Sequence, residues 1–276
     1  MSLMNLFNLD ATVIVLLLLM GCVGGFLAGL LGIGGGMLLV PALTWIAARQ
    51  GFDPAYGVKM AVATSLATIV FTSISSVRAH HQRGAVNWSI VARLAPGIVL
   101  GSLLGAQLVR WIPAAWLAGC FALFVGYSAT QMFVDRKPKP SRQLPATAGM
   151  LGAGGVIGVL SALVGAGGGF ISVPFMVWCN TAMHTAVATS AALGVPIALA
   201  GTAGHLMAGL AVQGEPPGAV GYIYLPALLL IASASVLLAP LGAKAAHRLN
   251  VKQLKKAFAV LLYGLASYML WRALTV

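Results

Sequence analysis

The sequence predicts an all-α polytopic membrane protein. It reads as two inverted-topology repeats with glycine-broken or re-entrant helices, in eight to ten membrane segments. Three observations predict this. Of 276 residues, 60% are apolar and 7% charged, against about a quarter charged in a soluble domain. The apolar residues fall in runs near the roughly 20 residues that cross a bilayer. A glycine-rich motif also occurs twice, at matching places in the two halves. With a mean hydropathy of +0.97, the chain cannot coat a water-facing surface, so its exterior is lipid.

The elements follow in chain order. Residues 11–20 (ATVIVLLLLM) resemble a signal-peptide core, but no Lys or Arg precedes them. A cleaved leader normally has a basic start, so this segment is expected to stay as a membrane helix. Clear spans are 60–77, 85–109, 114–134, 185–209, 220–242 and 257–274. Regions 11–48 and 145–179 are too long for one span, and glycines interrupt both.

The net charge of +12 sits in short loops between apolar runs. That distribution orients a membrane protein and points to no nucleic acid. Arg78 and Arg83 flank one basic loop, with His80 and His81 between them. Arg136, Lys137, Lys139 and Arg142 occupy the linker. Lys244, Arg248, Lys252, Lys255 and Lys256 form a third cluster. These three stretches are expected in the cytoplasm. Junctions 49–59, 110–113 and 210–219 are expected outside, as are both termini. Arg93, inside an apolar run, either snorkels to the interface or points inward. Cys22, Cys120 and Cys179 fit neither a disulfide framework nor a metal site.

Residues 29–41 read GLLGIGGGMLLVP, and 162–174 read ALVGAGGGFISVP. AVATSLA at 61–67 returns as AVATSAA at 186–192, and Gly105 aligns with Gly242. The chain thus divides into a first repeat (1–134), a basic cytoplasmic linker (135–144) and a second repeat (145–276). The loop after the first ATS segment is basic, whereas its counterpart at 210–219 holds Glu215 and neither Lys nor Arg. Opposite charge in equivalent loops implies opposite orientation, the usual scaffold of secondary transporters.

A glycine break at membrane depth is tolerated only where protein or a water-filled cavity covers it. Gly32, Gly34, Gly35 and Gly36, with Gly165, Gly167, Gly168 and Gly169, place two such breaks. A half-helix starting at each would aim N–H groups and partial positive charge at a small anion. The alternative is a close-packing surface of small residues. Thr64, Ser65, Thr189 and Ser190 put hydroxyls in apolar helices. These could donate to an oxyanion or bond back to their own helices. His205 could titrate near neutral pH and carry a coupling proton, or serve structure alone. Among the expected spans, no carboxylate, HExxH motif or nucleophile–base pair is visible. No GxxxxGK[ST] loop occurs either. Hence no catalytic residue, metal or cofactor is expected, and the chain does not read as an enzyme.

The doubled G-x-G-G-G-x-x-x-V-P motif, the A-V-A-T-S element after each copy and the basic linker resemble the TauE/SafE sulfite exporter family, over about residues 11–272. The resemblance implies a multi-pass permease of the bacterial inner membrane that moves small, often sulfur-containing anions. The substrate would sit between halves that rock against each other, coupled to a proton or counter-ion. The other classes considered are an anion channel with the same glycine-lined site and a non-transport membrane scaffold.

Overall fold

A computed structural model describes residues 10–31, 35–134, 142–210, 216–245 and 251–275, the side chains of Leu31 and 251–255 aside. The described residues form ten helices and one two-stranded hairpin. The first half contributes α1 (Ala11–Leu31), α2 (Gly36–Arg49), α3 (Pro54–His81), α4 (Trp88–Leu108) and α5 (Ala114–Val134). The second contributes α6 (Thr147–Val164), α7 (Gly169–Trp178) and α8 (Met183–Gly209). Strands β1 (Ala219–Val220) and β2 (Ile223–Tyr224) follow, then α9 (Leu225–Ala245) and α10 (Val251–Thr275). Eight helices are long and apolar enough to cross a membrane, and α2 and α7 are shorter apolar helices. Each region expected to hold a broken helix therefore contains one long and one short helix.

Local chemistry sets several boundaries. Asp53 caps α3 by accepting from the Ala55 N–H at 2.8 Å, and Pro54 opens the helix, where a missing N–H costs nothing. Asn87 caps α4 by accepting from the N–H groups of Ser89 and Ile90. Several boundaries differ from the sequence reading: α3 begins at Pro54 rather than 60, and α10 at Val251 rather than 257. Residues 220–224 pair in the hairpin, Ala219 opposite Tyr224 and Val220 opposite Ile223, so the seventh long helix begins at Leu225. Helix α3 runs on through His81, so His80 is a buried helical residue. The Arg93 side chain is exposed on α4, about a turn from the helix start, as snorkelling requires.

The packing is built on small residues. In α1, Gly21, Gly25 and Gly29 lie against Ile231, Ser235 and Ala239 of α9, and the two helices run in the same direction. In α4, Gly97, Gly101 and Gly105 lie against Leu151, Gly155 and Val159 of α6, again in parallel. A Cβ on Gly29, Gly97 or Gly101 would overlap backbone of the facing helix. Lipid tails are as apolar as Leu, so close backbone approach, not hydrophobic burial, holds such pairs. Each seam joins the first helix of one half to a late helix of the other.

Helices α3 and α8 form the buried centre and run antiparallel. Ser73 meets Gly194, and Leu66 meets Gly201. Helices α5 and α10 are antiparallel too, through Thr130 with Tyr263 at one level and Gly119 with Ala273 at another. Loops separate onto two ends. The Tyr56 hydroxyl donates to the Gly221 carbonyl, and Lys59 Nζ donates to the Arg110 carbonyl at 3.2 Å. At the far end of α3, Arg83 donates to the Ala243 carbonyl at 2.8 Å. At 1.5 Å per residue, the 28-residue α3 separates these ends by about 42 Å.

Candidate functional site

The two glycine clusters behave as helix breaks. Gly35 (φ 70°) starts α2, Gly165 (φ 71°) ends α6 and Gly168 (φ 72°) starts α7. All three are left-handed, which a residue with a Cβ adopts only at a cost. No side chain caps α2 or α7, so their first-turn N–H groups are left to backbone or ligand. Gly32 and Gly34 lie outside the described residues. Gly169 is the buried first residue of α7.

The breaks meet. A Cβ on Gly36 would overlap the Gly165 carbonyl and come within 2.8 Å of Ala166 Cα. The Ser65 hydroxyl donates to that same Gly165 carbonyl at 2.8 Å. One face of α3 thus holds the end of α6 against the start of α2. Gly168 is flanked by Ile157, Ile197 and the buried Ser161 hydroxyl.

The other expected hydroxyls are placed differently. Thr64 accepts from the Tyr224 N–H at 2.9 Å, where the chain enters α9. Thr189 accepts from the Asn87 N–H at 3.0 Å, where it enters α4. Neither of these bonds is to its own helix: each joins an ATS segment to the entrance of a helix in the opposite half. Ser190 accepts from the Ser172 hydroxyl at 2.9 Å. His205 is fully buried, with Nε2 at 3.1 Å from the Ala162 carbonyl, three residues before Gly165. It thereby ties α8 to the end of α6. Among the described residues, its Nδ1 has no hydrogen-bond partner.

Sequence reasoning passed over Thr72, Ser73 and Ser76. These α3 hydroxyls, with Gly167, Ser190 and Gly194, line a cavity of about 10 Å³ beside the second break. That is about one water's worth of space. A second, open cavity of about 550 Å³ is lined by Asn87, Gln143, Asn180, Thr181 and Thr185, among others. Beside it, the Arg142 guanidinium stacks over Trp178, 4.8 Å from the ring centre. His80, expected in a basic loop, is instead a buried residue of α3. The offset that pairs Thr64 with Thr189 pairs His80 with His205, and both are buried.

This arrangement offers backbone dipoles and neutral hydroxyls at membrane depth. Among the described residues, no three His, Cys, Asp or Glu side chains cluster as a metal site. Comparison with known proteins gives the same kind of molecule. A probable membrane transporter protein of Haemophilus influenzae is 36% identical over 257 residues, covering 92% of this chain and 97% of that protein. One from Methanocaldococcus jannaschii is 29% identical over 262 residues, covering 92% and 94%. A third, from Xylella fastidiosa, is 24% identical over 255 residues, covering 90% and 92%. No solved structure matches the chain significantly. The sulfite exporter TauE/SafE family model matches residues 17–269, so this multi-pass membrane protein belongs to the TauE/SafE family of membrane transporters.

Proposed function

We propose that the protein is a secondary transporter of a small anion, a sulfur-containing oxyanion or an organosulfonate or carboxylate, in a bacterial inner membrane. The anion sits at the paired glycine breaks. The observation that carries this reading is the backbone contact of Gly36 with Gly165 and Ala166, between the two breaks. There, helix starts without side-chain caps offer N–H donors and positive dipole ends, which favour an anion without a buried cationic side chain. Antiparallel packing of α3 on α8, and of α5 on α10, is what inverted repeats would produce, and it supports alternating access. Topology follows the basic loops: the Arg83–Ala243 end is cytoplasmic and the Tyr56–Gly221 end periplasmic. The 550 Å³ cavity near Arg142 is then a cytoplasmic vestibule.

The seams refine the moving parts. Because α1 is bound to α9 and α4 to α6, the bodies that shift are mixed from both halves. The boundary between them runs along α3 and α8. His205, tied to the carbonyl just ahead of the second break, is placed to link a proton to that movement. Its helix packs on α3, which carries Lys59, Arg78, His80 and His81, and on α4, which carries Arg93, while α6 and α7 carry no ionisable side chain.

The test is uptake into proteoliposomes. Sulfite, sulfate, thiosulfate, sulfonates and small carboxylates are offered with and without a proton gradient. Saturable flux of at least one anion, with counter-flow from preloaded vesicles, is expected. Non-saturating flux with unitary currents would make the protein a channel, and absence of flux for every anion would remove the transport reading.

A further inference from the structure

We propose that the small cavity beside the second break is a binding site for a bare monovalent cation of sodium size, and that this cation couples to the anion. The proposal rests on the anion-transport reading for its role in coupling, but not for the site itself.

The direction of the hydroxyl protons decides what the cavity can hold. A hydroxyl has one proton and two acceptor lone pairs. Thr72 lies 3.0 Å from the Thr68 carbonyl and 2.8 Å from the Ser235 hydroxyl. Ser73 donates to the Val70 carbonyl at 3.2 Å. Ser190 already accepts from Ser172. Thr72 and Ser73 have spent their protons on neighbouring oxygens, and what they can turn to the cavity is lone pairs. An oxyanion needs several donors, and neither Thr72 nor Ser73 offers it one. A hard cation needs oxygens, and hydroxyl and carbonyl oxygens suit it.

Ser76 supplies the independent observation. Its side chain is 3% exposed, and among the described residues its hydroxyl has no hydrogen-bond partner although it lines the cavity. A buried hydroxyl left unmatched costs free energy unless something occupies the space before it. Gly167 adds main chain from the break itself. Unwound main chain beside a broken helix is where transporters hold coupling cations. The volume, about 10 Å³, admits one water or one dehydrated ion and no polyatomic anion.

The repeat sharpens the point. The offset relating the ATS segments places Ile197, Ala198 and Gly201 opposite Thr72, Ser73 and Ser76. The second half packs its central helix without hydroxyls at these positions. Packing alone therefore does not require them in the first half, which supplies Thr72, Ser73 and Ser76 to a cavity whose other wall is Gly167, Ser190 and Gly194.

Thermal unfolding of the purified protein at fixed pH and ionic strength tests the site, using sodium, potassium or choline chloride. Sodium alone should raise the melting temperature, in a saturable way. Ser76→Gly, which installs the residue of the equivalent position, and Ser73→Ala should each weaken the apparent sodium affinity by about tenfold, about 1.4 kcal/mol. Ser233→Ala, on an exposed α9 position, should leave it unchanged. Equal melting temperatures in all three salts, or an unaltered sodium response in a folded Ser76→Gly protein, would overturn the site. Proteoliposome flux separates the two readings. Anion flux indifferent to sodium, with no sodium-specific stabilisation, removes the cation site and keeps the transporter. Sodium-specific stabilisation without any anion flux does the reverse.

Discussion

At Gly36 a single added carbon would overlap the Gly165 carbonyl that Ser65 holds in place. Gly36→Val should therefore remove anion flux from whatever protein reaches the membrane, at a stability cost of about 1–3 kcal/mol from overpacking. Gly126→Ala is the matched control: its Cβ would meet nothing within 4 Å, and the helix gains up to about 1 kcal/mol of propensity. Normal flux from Gly36→Val at wild-type abundance would show that the breaks do not form the path. His205→Gln should keep an amide donor for the Ala162 carbonyl but carry no titrating ring. The pH dependence of its flux should flatten; a wild-type profile would leave the histidine as a tether only. At this scale the sequence was legible where residue type has few uses. Doubled glycines followed by Val-Pro could be read as breaks. Hydroxyls could not be sorted, because Thr64, Ser65 and Ser76 look alike in an apolar run. Their roles depend on a helix entrance, a facing carbonyl and a cavity formed by residues up to 160 positions away.

The seams set the stability of the elements. Gly21, Gly25 and Gly29 recur every fourth residue, as do Gly97, Gly101 and Gly105, so each triplet forms one flat face. Gly101→Val would drive a branched side chain into the Gly155 backbone. It should lower the melting temperature of the purified protein or prevent its recovery, whereas Gly152→Val, with open space around it, should not. Equal melting temperatures would mean that the α4–α6 seam is not a tight contact. Span count and approximate limits were legible from composition alone, because lipid imposes length and apolarity together. The hairpin at 219–224 was not, since Val220, Tyr222, Ile223 and Tyr224 are as apolar as a helix start. The last turn of α3 was also missed, because histidines beside arginine read as loop.

For the whole molecule the two ends are the testable quantity. In a background lacking Cys22, Cys120 and Cys179, Arg83→Cys and Val220→Cys should react with impermeant thiol reagents from opposite sides of the membrane. Labelling from one side would contradict both the packing and the orientation drawn from basic loops. The crossed seams also bear on how the chain is made. When the ribosome has inserted the first five helices, the glycine faces of α1 and α4 still await partners that lie beyond the linker. Early translation therefore yields a lipid-embedded fragment with two bare docking faces. Such fragments, expressed separately from a gene cut at the linker, would have every reason to find each other.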